Sequence, residues 1–246
     1  MLLSASTVAI TFASLVLAQA PPGFQPAVNN KLEVIFRSTM VNQAGQQIAK
    51  DAASAQPQLA LSSAMMSKTD TYMFVMLDLD VPPAANSNQR RVLLHCMNTG
   101  FKASNQEIGG AATLLSSSDT GPAAYIPPNP PAVDTIAHRY VELLFQQPAN
   151  FSIAQSTFAE MSARINFDTQ AFMTQHGLKA PVAANFFLVD GRTNSTAAAN
   201  PTGTGSGGSR PTSSLEPFSG AADRPSVSFG TAGQLVWLTL FALFAL

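Results

Sequence analysis

The stretch AHRYVELLFQQP, residues 137–148, enters an apolar run through a histidine, an arginine and a tyrosine and leaves it through a proline. Read as a strand, its period of two sends His138, Tyr140 and Glu142 to one face and Arg139, Val141 and Leu143 to the other. An imidazole and a phenol thus point the same way at the start of a segment otherwise built for a core. KLEVIF (31–36), TYMFVML (71–77), VLLHCM (92–97) and NFFLV (185–189) share its form, each bounded by Pro, Gly, Asn or Asp. Long helical periodicity is absent. One helix is expected at 169–176, with Asp168 as its cap and Gly177 at its exit. The segment NFSIAQSTFAEMS (150–162) adds a turn or two of helix, and the proline-dense YIPPNPPAVD (125–134) reads as a surface loop of fixed shape. The expected fold class is mainly β: antiparallel sheets with a few short peripheral helices.

The two ends are not fold material. Residues 1–18 read as a secretory signal peptide: the apolar region 8–17 is too short for a membrane span, and Ala18 and Ala20 are small enough for cleavage. Cutting after Ala18 keeps Pro21 away from the scissile bond. Residues 221–246 combine a polar spacer with the apolar terminus LVWLTLFALFAL, and the small residues Ser219 and Gly220 precede them. That is the pattern of a removed glycosylphosphatidylinositol (GPI) anchor signal, with attachment at Ser219 or Gly220. Between fold and anchor, residues 191–220 are rich in Ser, Thr, Gly and Pro and read as a flexible stalk. Gly203, Gly205 and Gly208 match a dinucleotide-binding spacing there, but no strand precedes them. Asn150 and Asn194 open N-glycosylation sequons. The expected location is the extracellular face of the plasma membrane or the cell wall, reached through the secretory pathway.

Charged residues make up 11% of the chain and its net charge is −1, which gives nucleic acid no footing as a partner. The single cysteine, Cys96, excludes an internal disulfide, so residues 21–190 must be held by their core.

The chemistry-bearing residues gather near strand ends. Asp78 and Asp80 share a side of their strand, which stops at Pro82; His95 faces opposite to its neighbour Cys96; His138 and Tyr140 lie together. If these ends converge they form a polar pocket in an apolar fold. His95, His138 and Asp78 could in principle make a metal set, but no metal-binding spacing such as HExxH is present, so neither metal nor cofactor is expected. Cys96 reads as packed, and no GxSxG elbow marks a serine nucleophile. Two imidazoles and a phenol supply donors for a phosphate group, and Asp78 can orient one imidazole or accept from an amine. Without an activated nucleophile, the pocket suits binding rather than turnover.

DLDVPP (78–83), LLHC (93–96), AHRY (137–140) and APVAANFFLV (180–189) resemble, in order and spacing, the motifs of the phosphatidylethanolamine-binding protein family. That family includes Raf kinase inhibitor proteins, plant flowering-time regulators and the fungal carboxypeptidase Y inhibitor. The resemblance covers roughly residues 30–190 and implies a large antiparallel sheet, a smaller second sheet and a pocket for phosphate-like anions. It implies Asp78, Asp80, Pro82, His95, His138 and Tyr140 as ligand-binding residues. Three departures are visible. Leu79 stands where the family has proline between the acids, Asp134 and Ile136 replace the glycines before the HR pair, and no helix follows Val189 to close the site. The first two reshape the turn and the pocket rim; the third predicts a more open entrance. The expectation is a non-enzymatic, GPI-anchored surface protein that binds a phospholipid headgroup or another phosphorylated small molecule. Its rivals are a secreted inhibitor of an extracellular peptidase of the serine carboxypeptidase type and a structural surface protein with a vestigial pocket.

Overall fold

A computed structural model describes residues 18–193. The expected signal peptide except Ala18, the expected stalk beyond Thr193, the expected anchor signal with Ser219 and Gly220, and Asn194 lie outside the described residues.

The apolar runs become strands β1 (Leu32–Phe36), β5 (Tyr72–Val81), β6 (Arg91–Ile108), β8 (His138–Gln146) and β9 (Ala183–Val189). Four short strands complete the sheet: β2 (Thr39–Met40), β3 (Gln46–Gln47), β4 (Gln58–Ser62) and β7 (Ala112–Ser116). Their order is β2-β1-β4-β7-β6-β5-β8-β9-β3, antiparallel throughout except where β3 joins β9. The expected mainly β class is borne out. The first part of β6 pairs with β5, and its later part, from Lys102 onward, pairs with β7. One strand of 18 residues therefore runs through both halves of the sheet.

Period-two alternation builds two cores. Tyr72, Phe74 and Met76 of β5 and Tyr140 and Leu144 of β8 join Val34, Leu59 and Leu61 between the two sheet halves. The opposite residues, Val75, Leu77, Val141 and Leu143, pack against Phe158, Phe172 and Leu178. The second layer is carried by helix α2 (Thr169–His176), whose Asp168 cap accepts from the Gln170 and Ala171 amides, with left-handed Gly177 ending it. The expected second helical segment shrinks to one turn, α1 (Met161–Arg164); residues before it form turns instead.

Asn185 binds the two halves across the first core. Its side-chain amide donates to the Leu32 and Val41 carbonyls at 2.9 and 3.3 Å. Its register partner Glu142 is different in kind, being fully buried with no hydrogen-bond partner for either carboxylate oxygen among the described residues. Burial alone pushes this carboxyl well above its ordinary value of 4.5, so it is a neutral acid in the folded state. The folded form holds a proton that the unfolded chain releases above pH 4.5, so stability falls as pH rises past that value. Replacing Glu142 with Met is expected to raise stability by about 1–3 kcal/mol at pH 7.5. The gain should shrink toward pH 4.5. Urea denaturation at the two pH values measures it, and a gain of equal size at both would contradict a buried, neutral carboxyl.

Candidate functional site

The site is assembled where β5, β6 and β8 end together. Asp78 is the register partner of Tyr140, and its Oδ2 lies 2.8 Å from His138 Nδ1. Its Oδ1 accepts the Asp80 amide at 2.7 Å, which curls the strand end and fixes the carboxylate. His95 arrives by an irregularity that alternation could not show. Met76 pairs with Cys96 while Leu77 pairs with Leu94, so His95 is the extra residue of a bulge. Leu94 packs in the helix-side core, whereas Cys96 packs between the sheet halves and the His95 ring meets Tyr140 edge-on at 5.2 Å. The expectation that His95 and Cys96 face opposite ways is therefore corrected: the bulge turns both toward the same layer.

Asp78, His95, His138 and Tyr140 are brought together. Tyr140 stacks between His138 and Phe187, with ring centroids 6.4 and 5.3 Å away. Asp80 does not join them. It accepts from the Arg139 backbone amide, Nε and Nη2, each at 2.8 Å, locking the start of β8 to the end of β5. Burial opposes ionisation of Asp80, but the hydrogen bonds and charge of Arg139 prevail and hold its pKa below the usual value. Pro82 is half-buried at the turn, and its carbonyl accepts from Arg91 Nε at 2.9 Å. Both act on the shape of the strand end rather than within the group of four. Asn150 is exposed in a turn on the far side of β8.

Protonation follows from the partners. Both nitrogens of His138 face carboxylates, Asp78 at 2.8 Å and Asp134 at 3.0 Å, so both donate. Burial depresses the imidazolium, yet these two carboxylates outweigh it and the net shift is upward. His95 goes the other way. Burial lowers its pKa, and its Nδ1 donates to the Ile126 carbonyl at 2.7 Å. The ring is neutral, and Nε2 is left as a bare acceptor, not the donor that two imidazoles suggested from the sequence. Burial, and then the charge of Asp78, raises the pKa of the Tyr140 phenol. Cys96 is pushed up to about 12 by burial and contacts Gln56 Oε1 at 3.8 Å, so it is an inert thiol.

The entrance is not open. Ala123 pairs with Met97, the Ile126 amide donates to the His95 carbonyl at 2.9 Å, and the proline-rich loop continues over the site to Asp134. His95, His138 and Tyr140 are each at most 3% exposed. Arg164 fastens the loop's beginning, donating to the Ala124 and Phe158 carbonyls at 2.7 Å. The more open entrance expected from the sequence is thus corrected: the proline-rich loop covers the site. The sequence reading did not name Arg90, Asp134 or Ile126 as site residues; only the missing glycine at 134 hinted at one of them.

Comparison with known proteins identifies the family and the fold. Residues 35–187 match the phosphatidylethanolamine-binding protein family. A phomoidride biosynthesis cluster protein N of Talaromyces stipitatus is 33% identical over 201 residues, spanning 76% of this chain and 98% of the relative. A 26 kDa secreted antigen of Toxocara canis is 37% identical over 120 residues, covering 48% of this chain and 41% of the antigen. Among solved structures, a carboxypeptidase Y inhibitor complexed with its cognate proteinase shares the fold. It has a TM-score of 0.51 at 22% identity, over 67% of this chain and 84% of the inhibitor.

The two site histidines should titrate on opposite sides of their common reference value of 6.5: His138 above it, His95 below. The stabilisation His138 contributes is complete below pH 6.5 and disappears as pH rises through its raised folded value. Imidazole nitrogen resonances followed from pH 4 to 9 test this, and His95 titrating above His138 would contradict the arrangement.

Proposed function

The chain belongs to the phosphatidylethanolamine-binding protein family, and from that premise we propose that it is a non-catalytic binding protein whose pocket receives a small phosphorylated headgroup of the phosphoethanolamine type. One observation carries the reading. Among the described residues, His95 Nε2 is buried without a hydrogen-bond partner beside the Tyr140 ring, whose hydroxyl lies against the Asp78 carboxylate. An unsatisfied buried polar atom costs about 1–3 kcal/mol, and a donor on a ligand would satisfy this one. The bare acceptor of His95 and the carboxylate of Asp78 suit an ammonium or a protonated phosphate oxygen. The Tyr140 hydroxyl suits the anion. A zwitterionic headgroup thus fits this set better than a plain anion does. Asp80, Arg139 and Pro82 support it by holding the strand ends in place.

Nothing in the group of four supplies an activated nucleophile, and the Cys96 thiol stays protonated at physiological pH. We further read the chain as secreted and held at the cell surface by a GPI lipid attached at Ser219 or Gly220, behind a stalk from residue 191. The name of the Toxocara relative, a secreted antigen, agrees with secretion. The signal-like and anchor-like ends carry the rest of that reading.

Calorimetric titration with phosphoethanolamine tests the pocket. Removal of the Tyr140 hydroxyl in Tyr140→Phe also removes its contact with the Asp78 carboxylate, so folding is checked by urea denaturation of the variant, and affinity should fall about tenfold. Because the His138 pKa is raised above 6.5, any share of the affinity that depends on its proton should outlast pH 6.5 and fall as pH rises through the raised value. Absence of heat from the unaltered protein at pH 6 and 7.5 would end the headgroup reading. Inhibition of a serine carboxypeptidase in the same preparation would then favour the inhibitor role. Treatment of intact cells with phosphatidylinositol-specific phospholipase C should release the protein, and retention would count against the anchor.

A further inference from the structure

Asp134 takes up the second ring nitrogen of His138. Its Oδ2 lies 3.0 Å from His138 Nε2, and both its oxygens accept from the Arg90 guanidinium at 2.7 Å. The side chain is 6% exposed, although Val133 beside it is 90% exposed and Ile136 is also on the surface. The loop thus inverts ordinary burial, turning its acid inward and its apolar residues outward. Its shape is set by Pro127, Pro128, Pro130 and Pro131, by the Asp134 amide donating to the Pro131 carbonyl at 3.0 Å, and by Gly191. A Cβ at Gly191 would lie 2.4 Å from the Pro130 carbonyl oxygen, so only glycine lets the segment after β9 pass this close.

A charge count shows the consequence. Asp78 and Asp134 oppose His138 and Arg90, and Asp80 opposes Arg139. Each cation already has its anion, so no surplus positive charge greets a phosphate. Arg90 nevertheless presents the fork geometry that takes carboxylate and phosphate alike, each through two parallel hydrogen bonds.

We propose that Asp134 is the resident occupant of the anion seat at His138 and Arg90, and that it determines which ligands the pocket admits. A phosphate group enters by exchanging with this carboxylate, taking over His138 Nε2 and the guanidinium fork, while Asp134 swings out to water with its loop. A monoanionic carboxylate ligand only replaces like with like. A phosphate dianion brings extra charge and is preferred. The inference rests on the binding reading above, and it concerns a residue outside the group of four.

Calorimetry with inorganic phosphate, on the full secreted protein, compares the unaltered chain with Asp134→Asn and Asp134→Gly. The asparagine keeps the size and local hydrogen bonding of the side chain, so it guards against loss of folding in the glycine variant. Either variant is expected to bind inorganic phosphate at least tenfold more tightly than the unaltered chain. Without ligand, Asp134→Asn should also lower the pKa of His138, and phosphate should restore it. Equal phosphate affinity in all three folded proteins would overturn the role of Asp134, while Tyr140-dependent phosphoethanolamine binding would leave the pocket reading standing. Tight phosphate binding by the variants with no phosphoethanolamine binding by the unaltered chain would support Asp134 as occupant and reject the headgroup reading. Failure of every protein to bind either probe would reject both.

Discussion

An imidazolium that is 1% exposed is tenable only because two carboxylates flank it. Asp78 and Asp134 each satisfy one nitrogen of His138, and Arg90 balances the second acid. Removing one member of such a set strands a buried charge at a cost of about 3–5 kcal/mol, so the group stays together. Much else follows from it. Asp78 can reach the ring only if β5 and β8 keep their register, and Asp134 can reach it only if the proline loop lies across the site. The same contact thus fixes a strand pair, the course of a loop and the protonation of the residue between them.

The opposite behaviour of the two site histidines grows from this arrangement. His138 is surrounded by acids and keeps its proton, while His95 has a backbone carbonyl at one nitrogen and nothing at the other. They are 43 residues apart in the chain and look interchangeable when written as letters, but one is a charged donor and the other a neutral acceptor. That asymmetry sets a charged donor and a bare acceptor on either side of the Tyr140 ring. Family membership makes a binding pocket at this position the natural reading; the partners of each ring determine what it could hold.

Much of this was legible in the residues. Alternation along β8 correctly separated His138 and Tyr140 from Arg139 and Val141, because that strand pairs regularly on both sides over most of its length. The cap and exit of α2 were equally plain, since Asp168 and Gly177 act through local backbone chemistry. Alternation failed at His95 and Cys96, where a bulge in the β5–β6 pairing shifts the phase by one; nothing local announces an inserted residue. The later half of β6 went unread because KASNQE has too little apolar content to mark a strand, and pairing with β7 supplies what periodicity lacks. Asp134 was visible only as a departure from the glycines of related chains. That it points inward depends on Arg90, 44 residues earlier, which is a matter of tertiary contact alone.

The length of β6 has a mechanical consequence. A single backbone runs unbroken from the partner of β5 to the partner of β7, so the two sheet halves share a beam instead of meeting at a joint. No hinge axis can pass between them without snapping that strand's ladder. The strand ends that carry Asp78, His95 and His138 are thereby tied into a framework common to both halves, and the ionic cluster is seated on that framework.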